Sequence, residues 1–123
     1  MSRNYDTGVL GEERVAKFLK DNGYEIVARN YRIRGGEIDI IARKGDTLSF
    51  VEVKTRRKGA LVSGEEAITS AKKICIIRAA ERFISQYDDE VNGRFDVAVV
   101  ETDTDNKCVA GLRYYPEAFD ASK

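Results

Sequence analysis

Two stretches of this chain alternate between apolar and polar positions with a period of two. They are Gly36-Glu37-Ile38-Asp39-Ile40-Ile41 and Phe50-Val51-Glu52-Val53-Lys54-Thr55, with Lys44-Gly45-Asp46-Thr47 between them. That pattern predicts one β-hairpin with arms over residues 37–43 and 47–55. If Gly45-Asp46 is a two-residue loop, with glycine supplying the positive φ such a turn needs, the register follows. Asp39 then stands opposite Glu52 and Glu37 opposite Lys54. Alternation puts all four on one face with Ile41 and Phe50.

The rest of the pattern fills in around the hairpin. Asp6 or Thr7 is a candidate cap for a helix running to Asn22 and closed by Gly23. Leu10, Val15, Phe18 and Leu19 form its apolar stripe at 100° per residue. A strand is expected over residues 24–31 and a turn at Gly35-Gly36. After a loop over residues 58–62, Ser63-Gly64-Glu65-Glu66 reads as a capping box for a helix reaching Gln86. An acidic loop over residues 87–93 leads to a strand over 95–101. A turn over 103–106 leads to a last strand over 108–115. Pro116-Glu117-Ala118-Phe119 is expected to form one helical turn. The order αβββαββ predicts an α/β protein, a mixed sheet with helices packed on it.

Composition changes this picture mainly by exclusion. The 123 residues suit a single domain spanning 1–123. Apolar content of 42% and charged content of 34% are ordinary for a globular protein. There is no membrane-length apolar run and no apolar leader at the N-terminus, so the cytoplasm is the expected compartment, with no membrane association. Cys75 and Cys108 match no metal-ligand spacing and are expected as free thiols. No histidine is present, which excludes histidine acid–base chemistry and histidine-ligated zinc. Equal numbers of basic and acidic residues, 21 each, argue against a broadly basic nucleic-acid binder. Local clusters remain: Arg29, Arg32 and Arg34 before the hairpin, and Lys54, Arg56, Arg57 and Lys58 after it.

The hairpin register carries the chemistry. Directly opposed Cβ atoms lie roughly 4.5–5.5 Å apart. Two carboxylates that close repel each other unless a proton or cation lies between them. Mg²⁺, which prefers carboxylate oxygen and water, is the natural occupant, and an adjacent lysine suggests phosphate chemistry.

Asp39 followed by Glu52-Val53-Lys54 on the next strand resembles the D…(D/E)-x-K signature of the restriction-endonuclease-like nucleases. Gly11-Glu12, Asn30-Tyr31-Arg32, Gly36-Glu37-Ile38-Asp39, Phe50 to Arg56 and Arg94-Phe95-Asp96 resemble the small bacterial YraN-like family over nearly the whole chain. That family is similar to archaeal Holliday junction resolvases. The resemblance implies the restriction-endonuclease-like fold and a metal-dependent endonuclease hydrolysing phosphodiester bonds in DNA, branched or structured DNA included.

Two helical residues gain meaning from it. Periodicity places Glu12 at the border of the first helix's buried stripe, which alone reads as a surface group. The resemblance matches Glu12 to a helical glutamate that completes the metal site. Lys72 falls inside the apolar stripe of Ile68, Cys75, Ile76, Ala79 and Phe83, whereas Lys73 lies about 100° away. A lysine there either snorkels out or brings its ammonium to a partner. The resemblance favours the second.

The resulting expectation is Mg²⁺ or Mn²⁺ held by Asp39, Glu52 and the Val53 carbonyl, with Glu12 direct or through water. Asp39, Glu52 and Lys54 would be catalytic. Arg56, Arg57 and Lys72 would bind nucleic-acid phosphates, and Glu37 would support the site from behind. Arg94 and Asp96 read as a structural pair. Two alternatives stay open: a catalytically silent nucleic-acid-binding module of the same fold, and a structural hairpin in a protein-interaction domain. A homodimer or partner subunit would supply the surface that so short a chain lacks for a long duplex.

Overall fold

The computed structural model describes residues 3–57, 68–103 and 108–121, with side chains from residue 8 onward. The elements are α1 (Arg3–Asp21), β1 (Glu25–Ile33), β2 (Gly36–Lys44), β3 (Thr47–Arg57), α2 (Ser70–Ser85), β4 (Asn92–Thr102) and β5 (Val109–Phe119). This is the αβββαββ order read from the pattern. The strands form one mixed sheet in the order β1-β2-β3-β4-β5. Neighbours are antiparallel except β3 and β4, which run parallel from Thr47–Asn92 to Arg57–Thr102. A parallel pair needs a crossover connection, and α2 lies in it.

The two helices cover opposite faces of the sheet. Val15, Ala16 and Leu19 of α1 pack on Ile40, Ala42, Val51, Ala98 and Val100. Ile76, Ala79 and Ala80 of α2 pack on Ile38, Ile41, Leu48, Phe50 and Phe95. Burial on both faces explains the unbroken apolar runs of the central strands, such as Val97-Ala98-Val99-Val100. Each large side chain removed from water here, Leu19 or Phe50 for example, contributes roughly 1.5–3 kcal/mol.

The β2–β3 turn has the expected two-residue loop. Lys44 pairs with Thr47, and the register runs outward through Ile41–Phe50 to Ile40–Val51. Gly45 takes φ 62°, the left-handed conformation that made glycine the expected residue. The ladder ends at Ile40–Val51, one pair before Asp39 would meet Glu52 and well before Glu37 would meet Lys54.

Three expectations are corrected. Helix α1 begins at Arg3, so Asp6 and Thr7 lie inside it rather than capping it; a good capping side chain is also tolerated in a first turn. Helix α2 begins at Ser70, not near Ser63. Thr69 is extended (φ −79°, ψ 164°), and its hydroxyl accepts the Lys72 amide as the N-cap. The capping box at Ser63–Glu66, the preceding loop and Lys58 lie outside the described residues.

The third correction is at Pro116–Phe119, which continues β5 instead of turning into a helix. β5 is a sheet edge, where proline removes no ladder bond. Phe95 pairs with Phe119 and Val97 with Tyr115, so the residues between bulge out opposite Asp96. Glu117 adopts φ 53° there and donates its amide to Asp96 Oδ1 at 3.1 Å. A long-range partner decides this segment, not its local propensity. Residues 104–107, which include most of the expected turn over 103–106, fall outside the described set.

Candidate active site

Where the β2–β3 ladder ends, Asp39 takes over as a hydrogen-bond acceptor. Its Oδ2 receives the Val53 amide at 2.8 Å. The Asp39 side chain is thereby fixed beside the next residue of β3's polar face, Glu52. Glu52 is almost fully buried, at 6% side-chain exposure. Its Oε2 faces two ammonium groups, Lys54 Nζ at 3.2 Å and Lys72 Nζ at 3.7 Å. Both lysines keep partial solvent exposure, so the site opens to water on its cationic side.

The electrostatics record an under-compensated pair of acids. Burial, then the neighbouring Glu52 charge, push the Asp39 carboxyl up from 3.8 to about 6, against the lowering effects of the Val53 amide and Lys72. The other Glu52 oxygen, Oε1, is buried and has no hydrogen-bond partner among the described residues. A buried, unpaired carboxylate oxygen is costly. Two lysines satisfy one oxygen of Glu52 and leave the other bare.

Two glycines let the helices deliver side chains to this point. A Cβ on Gly11 would overlap the Thr55 hydroxyl, so glycine lets α1 close on β3 and carries Glu12 to the rim. A Cβ on Gly36 would overlap the Cys75 carbonyl, so glycine lets α2 lie against β2 and brings Lys72 to Glu52.

Glu12 is half-buried at the edge of the site. Its carboxyl is raised above the ordinary range by burial and then by the Asp39 charge, while a hydrogen bond from the Asn30 side chain and the Arg29 charge oppose the shift. Arg29 lies 3.8 Å from Glu12 and 2.9 Å from Glu13. Asn30 escaped the sequence reading as a functional residue. It adopts φ 53° and stands between the Arg29–Ile40 and Tyr31–Ile38 pairs, so it faces Asp39 across the β1–β2 ladder. Asparagine tolerates that conformation better than most residues, and Asn30 also stands in the Asn30-Tyr31-Arg32 stretch that carries the family resemblance.

Glu37 is not at Lys54. It faces Arg32 at 3.9 Å, and its negative charge acts on both Asp39 and Glu12. Arg56 is half-buried with no partner for its Nε among the described residues, and Arg57 is exposed at the end of β3. The structure therefore gathers Asp39, Glu52, Val53, Lys54 and Lys72. It leaves Glu12 and Glu37 at the rim and Arg56 and Arg57 further along β3. Among the described residues, no three acidic or cysteine side chains converge as a ready-made metal cage.

Arg94 and Asp96 form a separate buried centre. Asp96, fully buried, accepts two bonds of 2.9 Å from Arg94, one of 2.5 Å from the Tyr114 hydroxyl and the Glu117 amide. Arg94 also donates to the Tyr24 hydroxyl at 2.7 Å. Burial and the Asp96 charge hold the Tyr114 hydroxyl far above its usual pKa, and the bond to Asp96 keeps Arg94 charged. Every Asp96 oxygen is occupied, the mark of a structural centre.

Residues 11–100 match the model of the uncharacterised protein family UPF0102. The chain belongs to the UPF0102 family. A UPF0102 protein of Symbiobacterium thermophilum is 44% identical over 108 residues, covering 87% of this chain and 90% of the relative. One of Caldicellulosiruptor saccharolyticus is 45% identical over 103 residues, covering 83% and 87%. One of Nitratidesulfovibrio vulgaris is 39% identical over 118 residues, covering 95% and 86%. The UPF0102 match thus spans Gly11 and Gly36, Lys54 and Lys72, and the carboxylates Glu12, Glu37, Asp39 and Glu52 of the site. No helix among the described residues is long and apolar enough to cross a membrane.

Proposed function

We propose that this UPF0102 chain is a metal-dependent nuclease of the restriction-endonuclease-like kind, hydrolysing phosphodiester bonds in branched or structured DNA. The observation that carries the reading is the buried Glu52 Oε1, without a hydrogen-bond partner among the described residues, beside an Asp39 carboxyl displaced to about 6. A hard divalent cation relieves both at once, since it takes carboxylate oxygens and cancels their repulsion. Asp39, Glu52 and the Val53 carbonyl would hold Mg²⁺ or Mn²⁺, with Glu12 contributing through water. The ion would supply Lewis-acid activation and charge neutralisation at phosphate.

The protein's own groups do the rest. The Val53 amide keeps Asp39 oriented. Lys54, with its head 3.2 Å from Glu52, is within reach of an attacking water or a non-bridging phosphate oxygen and donates a hydrogen bond to it. Lys72, Arg56 and Arg57 hold the flanking phosphates as fixed positive charges. Among the described residues, no side chain near the site is arranged to read a base edge in a groove, so recognition rests on the shape of the nucleic acid.

The test is cleavage of linear duplex, single-stranded and branched DNA with Mn²⁺, with Asp39→Ala as the control. Metal-dependent cutting that vanishes in the variant supports the reading. A protein that binds metal and branched DNA but never cuts is a binding module instead, and one that binds neither carries a structural hairpin.

A further inference from the structure

Beside the carboxylate site, at the turn joining β1 to β2, lies an open cavity of about 330 Å³. Its wall is Ile33, the bare backbone of Gly35-Gly36, and Cys75 of α2; its rim is Arg32, Glu37 and Lys72. We propose that this cavity receives one unpaired nucleotide of the DNA strand lying in the site. The proposal rests on the nuclease reading above and adds to it the structural class of substrate.

Four observations lead there. First, Lys72 belongs to both places: it lines the cavity, and its ammonium lies 3.7 Å from Glu52. A strand with a phosphate at Lys72 therefore has its neighbouring nucleotide at the cavity mouth. Second, the volume falls at the lower end of the roughly 300–1,000 Å³ range of small-ligand pockets, which suits one nucleotide and no more.

Third, the wall suits a flat ring. Among the described residues, nothing stands within 4 Å of where a Gly35 Cβ would be, so the peptide face at the turn is open. Ile33 and Cys75 add an apolar surface. Fourth, the rim has the right polar groups. The Arg32 side chain is 68% exposed and, among the described residues, has only a long contact of 3.9 Å to Glu37, so its guanidinium is open to stack on a base or pair with phosphate. The Glu37 carboxylate can accept from the exocyclic amine of adenine, cytosine or guanine. A base inside a duplex is stacked and paired and cannot enter; a base at a branch point, flap or overhang enters without the cost of unpairing.

The two thiols allow a direct test. Cys75 lines the cavity and Cys108 is exposed elsewhere, so alkylation of Cys75 reports occupancy and Cys108 is the internal reference. Iodoacetamide labelling is followed by mass spectrometry with a blunt duplex, a duplex carrying a single-stranded overhang, and free deoxynucleoside monophosphate. The overhang is expected to slow Cys75 labelling several-fold with Cys108 unchanged, and the blunt duplex to leave both alone. Arg32→Glu should remove the protection and lower overhang affinity by at least about fivefold, the smaller end of what stacking one base is worth.

Overhang DNA that binds while Cys75 stays as reactive as in free protein overturns the proposal. So does equal protection by the blunt duplex. Protection by the mononucleotide at the same concentration reassigns the cavity to a free nucleotide. Cleavage without Cys75 protection sinks the cavity assignment alone, and protection without cleavage sinks the nuclease reading alone. A protein that binds no DNA sinks both.

Discussion

The Asp39 carboxylate accepts the Val53 amide at 2.8 Å, at the point where the β2–β3 backbone ladder stops. The bond ties an acidic side chain to the strand bearing Glu52 and Lys54. It also orients Asp39 before any ligand arrives, so no rotamer entropy is lost when one binds.

Metal binding should follow from this arrangement. Mn²⁺ or Mg²⁺ at saturating concentration is expected to raise the melting temperature, because a ligand that binds only the folded state stabilises it by mass action. Asp39→Ala should abolish the rise in differential scanning fluorimetry. An equal rise in the variant would put the ion elsewhere.

The metal-free protein should have an unusual pH dependence. Asp39 has its folded pKa raised from 3.8 to about 6. The folded state therefore holds a proton that the unfolded state has lost, and this contribution to stability is complete below about pH 4 and fades as pH rises through about 6. The full effect is up to about 3 kcal/mol. Denaturant unfolding of metal-free protein against pH should show that decline, and Asp39→Asn, which cannot ionise, should flatten it. A parent profile as flat as the variant's would contradict the strained pair of acids.

Lys54→Ala should retain the fold and most metal affinity, since Lys54 neutralises Glu52 rather than holding the ion. Single-turnover cleavage should fall by at least ~100-fold, the usual loss on removing one catalytic electrostatic group. Lys54→Arg should rescue incompletely, because a guanidinium is broader and keeps its proton. Cutting at the parent rate would take Lys54 out of the mechanism.

The two close-packed glycines should behave differently. Gly36→Ala drives a methyl group into the Cys75 carbonyl, a backbone atom that cannot rotate away. A loss of about 1–3 kcal/mol is expected. Gly11→Ala meets only the Thr55 hydroxyl, so pairing it with Thr55→Ala should return urea stability to at least the parent level. If the pair is no better than Gly11→Ala alone, α1 is not set by that contact.

Asp96→Ala should be among the most damaging single changes in the chain. It strands the Arg94 guanidinium, the Tyr114 hydroxyl and the Glu117 amide together, at a cost of roughly 3–5 kcal/mol. Urea unfolding measures it, and a loss under about 1 kcal/mol would mean water replaces the carboxylate without penalty.

How much could be read beforehand depended on how local the cause was. The hairpin turn was legible because a two-residue loop with a glycine and period-two alternation leave few registers. Lys72 was legible because a lysine in an apolar helical stripe needs an explanation. The end of the ladder before Asp39 was not, since sequence pairing has no term for a carboxylate replacing a carbonyl. Nor was the extended path of β5 past Pro116, which depends on Asp96, twenty-one positions from its partner Glu117. Asn30 carried only a faint signal, and the roles of Gly11 and Gly36 become visible only when helix meets strand.

The parallel pairing of β3 with β4 also sets an order of assembly. The β2–β3 hairpin closes through two residues and can form within microseconds. It brings Asp39 and Glu52 together on its own. Lys72, at the start of α2 in the crossover that leads to β4, reaches Glu52 only when α2 docks on the sheet, a longer loop closure that sequence-distant contacts must repay. During folding, the two acids therefore meet with Lys54 alone beside them, before Lys72, the second counter-charge, arrives. Divalent cations present at that stage should speed the late docking step, which makes the refolding rate a readout of the site independent of any substrate.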